Sequence, residues 1–160
     1  QDEQFRYLTE KLNGYITGAY VYNKMGLTEQ VATTITIATP NPVRRFRFKN
    51  LDIECVKAYC MVYPDESLVP YLRLLDAIKD MKRIPGTTGQ DIYNRVKSQY
   101  FNGYSLPELE KIVSLAKSYP PRVRKVVADI LGDIRQTVLQ TEMAKTILPT
   151  TRFNLDYKTA

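Results

Sequence analysis

The sequence predicts an α+β fold, with a small antiparallel sheet of about three strands after short N-terminal helices, packed with a C-terminal layer of about four helices. Three observations carry this. Apolar residues recur at helical spacing before Gly14 and again from Val69 onward. Between Val31 and Val56 the period falls to two. No linker divides the 160 residues, so the chain reads as a single domain over 1–160, long enough to bury about 70% of its unfolded surface.

The elements follow in order. Phe5, Leu8 and Leu12 share one face of a first helix that should end before Asn13-Gly14. In the next stretch, Gly14 to Gln30, Thr17 is read as an N-cap, Ala19 to Met25 as two helical turns and Gly26 as a left-handed C-cap. Gly14, Gly18 and Gly26 match neither GxGxxG nor GxxxxGK[ST], so these glycines punctuate a short helix and do not form a phosphate loop. Tyr15, Tyr20 and Tyr22 are expected at a core edge, with their hydroxyls reaching water or backbone.

Thr34 to Ile37 alternates as a half-buried strand, and Pro40-Asn41-Pro42 turns the chain. VRRFRFK alternates again, placing Arg45, Arg47 and Lys49 on one face and Arg44, Phe46 and Phe48 on the other. Ile53 to Val56 forms a third strand, and short connections suggest a meander. After a turn at Tyr63-Pro64-Asp65, a mostly apolar helix runs from Val69 to Met81. A second spans Thr87 to Tyr100, and a third opens at Ser105 with the acidic Glu108 three residues on. The last begins at Pro120-Pro121, carries Val123, Val126, Ile130, Ile134 and Val138 inward, and is drawn on toward Ile147. Residues 148–160 have no period, and read as either a docked extended tail or disorder.

Composition bounds the chemistry. No apolar stretch approaches the ~18 residues of a membrane span, and the N-terminus lacks the plan of a secretory signal. A cytoplasmic location without a membrane partner is expected. The chain begins with glutamine, so the initiator Met or a longer N-terminal portion is expected to precede it. Cys55 and Cys60 fit neither a zinc spacing nor a redox CxxC and are read as buried thiols. With no histidine, the common nucleophile pairs and imidazole bases are excluded, and no catalytic residue, cofactor or metal site is expected.

The net charge of +6 and pI near 9.3 favour polyanions or acidic proteins as partners. The leading contact residues are Arg44, Arg45, Arg47 and Lys49. Three of them, Arg45, Arg47 and Lys49, would stand about 6.6 to 7 Å apart on a strand, close to phosphate spacing. Arg122, Arg124 and Lys125 form a second set at the start of the last helix, where cations oppose the helix dipole and invite an external anion. Asp76, Asp80, Lys79, Lys82 and Arg83 are explained by ion pairs along one helix. The alternatives are an anti-aggregation role for the basic strand and a solvated face for the helix cluster.

The runs GYITGAYVYNKMGLTEQVATTITIATPNP, RRFRFKNLDIECVKA, LVPYLRLLDAIKDMKRIPGTT and LAKSYPPRVRKVVADIL resemble the effector portion of AbiEi-type antitoxins, regulators of type IV abortive-infection toxin–antitoxin systems. The resemblance runs over residues 14–131, and the block Leu27-Thr28-x-Gln30-Val31 after the Gly-rich helix is its most specific part. Glu29 precedes Gln30, and Ala32 stands where relatives commonly carry proline. The resemblance implies an antitoxic domain without enzymatic activity whose functional partner is a nucleotidyltransferase-like toxin. It also implies promoter DNA as a partner, bound through an N-terminal winged helix-turn-helix absent from this chain. A stand-alone nucleic-acid-binding module of unrelated function is the alternative.

Overall fold

The protein is described by a computed structural model covering residues 2–60, 65–153 and 157. The expected turn at Tyr63-Pro64 and the tail at 154–156 and 158–160 lie outside the described residues. The fold is α+β. Helix α1 (Asp2–Leu12) buries Leu8 and Leu12, with acidic residues in its first turn and Lys11 in its last. Asn13 ends it in the left-handed region, at φ 52°. Strand β1 (Tyr15–Thr17) follows at once.

The stretch read as a Thr-capped helix is therefore a strand, a glycine turn and a helix. Thr17 belongs to β1, and Gly18 is the N-cap of α2 (Ala19–Lys24). Gly18 has φ 81°, and a Cβ there would lie 2.6 Å from Thr36, so both its conformation and its packing require glycine. Gly26 does end α2 as expected. Its φ is 77°, and the Leu27 amide reaches back to the Tyr22 carbonyl at 3.0 Å, closing a Schellman motif.

The sheet has four strands, completed by β2 (Thr34–Thr39), β3 (Arg45–Phe48) and β4 (Leu51–Lys57), in the order β1-β2-β4-β3. β1 pairs antiparallel with β2 and β3 antiparallel with β4, but β2 and β4 run parallel, from Thr34 opposite Asp52 to Thr39 opposite Lys57. The sheet is thus mixed and not an antiparallel meander. A meander would set the arginine-rich strand in the middle, with both edges paired. Instead β4 takes the centre, burying Ile53 and Cys55, and β3 lies at the rim, where Arg45 and Arg47 remain in water.

One face of the sheet is apolar. Ile35, Ile37, Ile53 and Cys55 pack with Leu8 and Leu12 of α1, Ile16 of β1 and Val21 of α2. The larger core lies among helices α3 (Val69–Lys79), α4 (Gly89–Gln99), α5 (Leu106–Ala116), α6 (Pro121–Asp133) and α7 (Thr137–Ala144). α3 buries Leu72, Leu74, Leu75, Asp76, Ala77 and Ile78 and lies at the centre of this layer. α5 opens with the expected capping box between Ser105 and Glu108.

The last helix does not run on to Ile147. Arg135 takes φ 64°, and the Gln136 amide bonds the Leu131 carbonyl at 2.8 Å. This is the same Schellman closure with arginine in the left-handed position, so no glycine signals the break. Beyond it Leu139 and Met143 turn inward, while Val138, expected to be buried, is 79% exposed. Of the tail, Tyr157 is docked: it is buried, its hydroxyl donates to Asp129 at 2.7 Å, and its ring lies 5.1 Å from that of Tyr93.

Candidate functional site

The register fixes which side chains share the second face of the sheet. Thr17 lies opposite Thr36, Thr34 opposite Asp52, Thr36 opposite Glu54, Arg45 opposite Glu54 and Arg47 opposite Asp52. This face is polar. At its β1 side it is tied to α3, because the Tyr15 and Thr17 hydroxyls each donate to Asp76 Oδ2 at 2.7 Å. Beyond that tie it is open, leaving a groove of about 620 Å³ between the sheet and the C-terminal end of α3. Thr34, Thr36, Arg45 and Glu54 form one wall, Lys79, Asp80 and Arg83 another, and Gln30, Val31, Ala32 and Pro85 the rim. A second depression of about 410 Å³ shares Thr34 and Arg45 with it and extends past Arg47 and Asp52 to the sheet edge.

The rim is held by two distant segments that dock together. Leu27 is fully buried, and the Thr28 hydroxyl donates to the Pro85 carbonyl at 2.6 Å while accepting from the Gln30 amide at 3.2 Å. Asn23 donates to the carbonyls of both Thr28 and Gln30. The carbonyls at the end of α2 are met from α4 and its C-cap, Met25 by the Tyr100 hydroxyl and Gly26 by Arg95.

The basic strand is divided among three settings. Arg45 pairs with Glu54, and Arg47 with Asp52 at 3.4 Å, their side chains remaining 76% and 67% exposed. Arg44 stands with Phe46 on the opposite face, as the alternation predicts, its guanidinium lying 4.6 Å from the centre of the Phe46 ring. Lys49 does not continue the row. The strand ends at Phe48, and Lys49 sits in the turn at φ 55° with Nζ 5.6 Å from the Phe48 ring centre. The expected row of three cations is a row of two, each facing a carboxylate.

The cations of α6 turn inward. Arg124 donates through Nε to the Tyr119 carbonyl at 3.0 Å and through Nη1 to that of Thr146. Lys125 donates to the buried Asp129 at 3.0 Å, and Arg122 stacks its guanidinium 5.9 Å from the Tyr157 ring centre. Arg124 and Lys125 hold chain segments together, so the external anion expected for this cluster has fewer groups to meet.

Among the residues assigned to ion pairs along one helix, Asp76 was misplaced. It is buried rather than engaged in a helix-face ion pair, and both oxygens are filled, Oδ2 by Tyr15 and Thr17 and Oδ1 by Tyr119 at 2.7 Å. Burial pushes its carboxyl above the ordinary value, and the three hydroxyls oppose that rise. The same pairing recurs: Tyr22 donates to Asp80, Tyr93 to Asp133 and Tyr157 to Asp129. The tyrosine hydroxyls thus find carboxylates as well as backbone. The available signal was the run Leu74-Leu75-Asp76-Ala77-Ile78, in which a carboxylate sits among core positions. Asp80 does fit the ion-pair reading, lying 3.5 Å from both Lys79 and Arg83.

Cys55 and Cys60 are both buried free thiols, raised above their ordinary values chiefly by burial. Among the described residues no helix is long and apolar enough to cross a membrane. No family model matches the chain, and neither a curated protein nor a solved structure matches it.

Proposed function

We propose that this chain is the antitoxic effector domain of a type IV abortive-infection system, acting in the cytoplasm as a binding module rather than an enzyme. Its functional partner is a nucleotidyltransferase-like toxin. Promoter DNA is read by a winged helix carried elsewhere in the full protein. One observation supports this reading above the others: three of the four runs that carry the AbiEi resemblance meet around one groove. Thr17-Gly18 and Gln30 to Ala32 from the first of those runs, Arg45 and Glu54 from the second and Ile84-Pro85 from the third all line it. The Gly-rich stretch shapes that surface, and the open polar face of the sheet supplies the contacts.

The test is co-expression with an adjoining nucleotidyltransferase-like reading frame. Growth is expected to be rescued, and Val31→Asp is expected to weaken rescue. Val31 is 75% exposed at the groove rim, so its replacement leaves the fold intact. Failure of the chain to rescue, with success of a longer version, would move antitoxic action to the DNA-reading part. A rescue that ignores Val31→Asp would remove the groove from the reading.

A stand-alone nucleic-acid-binding module is the second reading, favoured by the exposed pair Arg45 and Arg47 in a chain of net charge +6. It requires duplex DNA affinity that falls steeply with salt, with a slope that Arg45→Ala plus Arg47→Ala reduces.

A further inference from the structure

Among the described residues, the hydrogen-bonding pattern of β3 leaves one side of its backbone unused. The Cys55 amide bonds the Arg44 carbonyl at 2.8 Å, so Arg44 and Cys55 are a hydrogen-bonded antiparallel pair. Pair types alternate along such a ladder, so Phe46–Ile53 and Phe48–Leu51 are hydrogen-bonded too. Arg45 and Arg47 are then the non-bonded positions, and their N–H and C=O groups point away from β4. β3 is the last strand of the sheet, and among the described residues no other strand pairs with it. The other edge, β1, has only three residues.

We propose that the outer edge of β3 is a docking site for an extended peptide segment alternating acidic and apolar residues, added as a further strand. The alternation follows from the two faces. Residues set opposite Arg45 and Arg47 fall on the open face, beside two guanidinium groups whose present partners, Glu54 and Asp52, are themselves partly in water. Residues opposite Phe46 and Phe48 fall on the apolar face, where both rings pack against the sheet cluster and Tyr7 stacks on Phe48 at 5.4 Å. Arg44 and Lys49, lying over those rings, flank that side with positive charge.

Charge also rejects a second copy of this chain. Any antiparallel β3–β3 register that matches the faces sets arginine against arginine, which is unfavourable across strands. Nucleic acid is a poorer match: Arg44 lies on the face opposite Arg45 and Arg47, so the cations do not form one phosphate track, and a nucleic-acid strand cannot complete the backbone ladder. This edge site is independent of the antitoxin reading and survives its failure.

The experiment follows backbone amides by NMR while the chain is titrated with a short acetylated peptide alternating glutamate and valine. The Arg45 and Arg47 amides are expected to gain protection from hydrogen exchange. Binding should weaken about tenfold in the Arg45→Ala, Arg47→Ala double variant and should be lost when the peptide amides facing the protein are N-methylated. Equal binding of the methylated peptide would reduce the site to charge attraction and overturn the proposal. So would protection at other amides, protection of Arg45 and Arg47 in the free chain through self-association, or displacement of the peptide by a short DNA duplex.

Discussion

Two stretches of this chain carry almost the same density of positive charge, 44–49 in and flanking β3 and 122–125 in α6, and the structure uses them in opposite ways. In the first, Arg45 and Arg47 stand mostly in water against partly exposed carboxylates. In the second, Arg124 closes two carbonyls and Lys125 meets a buried aspartate that also accepts from Tyr157. The difference lies in what is behind the strand or helix. Among the described residues no strand pairs with the outer edge of β3 and its arginine face is open, whereas α6 is covered by α7 and the residue Tyr157. A run of cations therefore stays in water only where no segment folds back over it.

The contrast extends to the carboxylates. Those on the open sheet face are answered by arginine, whereas in the helical layer Asp76 accepts from three hydroxyls, and Asp80, Asp129 and Asp133 accept from a tyrosine hydroxyl beside a cation. A hydroxyl satisfies a carboxylate without burying a second charge.

The largest expected effect tests this arrangement by pH. Burial, reinforced by the neighbouring aspartates, raises Tyr22, Tyr93 and Tyr119 well above the ordinary tyrosine value, and burial pushes Tyr104 up to about 12. Above pH ~10 the unfolded chain loses phenolic protons that the folded chain retains, so stability falls as pH rises, by up to about 1.4 kcal/mol per pH unit for each such tyrosine. Urea unfolding should show this steep alkaline loss, and Tyr119→Phe should make it shallower. A flat alkaline profile would break the contrast.

Next in size is Asp129→Ala, which leaves the Tyr157 hydroxyl and Lys125 without their acceptor and should cost about 3 kcal/mol in chemical denaturation. Arg124→Ala should cost about 1 to 2 kcal/mol, because the Tyr119 and Thr146 carbonyls lose their donor. The smallest change belongs to the outer stretch: Arg45→Ala with Arg47→Ala should shift stability by less than about 1 kcal/mol. A larger loss there than at Arg124 would reverse the assignment of the two stretches.

The helices were legible because period, caps and prolines act locally. The Ser105–Glu108 capping box and the Gly26 stop needed no tertiary information. Strand order was not legible, since it depends on which strand can stand at the rim, a competition among segments rather than a property of one. The break at Arg135 was hidden because arginine fills a position usually marked by glycine. At the candidate site, Arg45 and Arg47 could be placed on one face by alternation alone. Their opposition to Glu54 and Asp52 required the register, and the groove required Thr28 to find Pro85 57 residues away.

The strand order also dictates where the polypeptide could be cut. Leaving β2, the chain skips one place, crosses the end of β4 by about 10 Å, lays down β3 and returns between the two. A nick in the crossing at 40–44 would separate an α1-to-β2 piece from a hairpin-plus-helices piece whose main shared seam is the six-rung parallel ladder from Thr34 to Thr39. Separately made halves would have to reassemble along that seam, which makes the β2–β4 junction a natural place to build a split reporter.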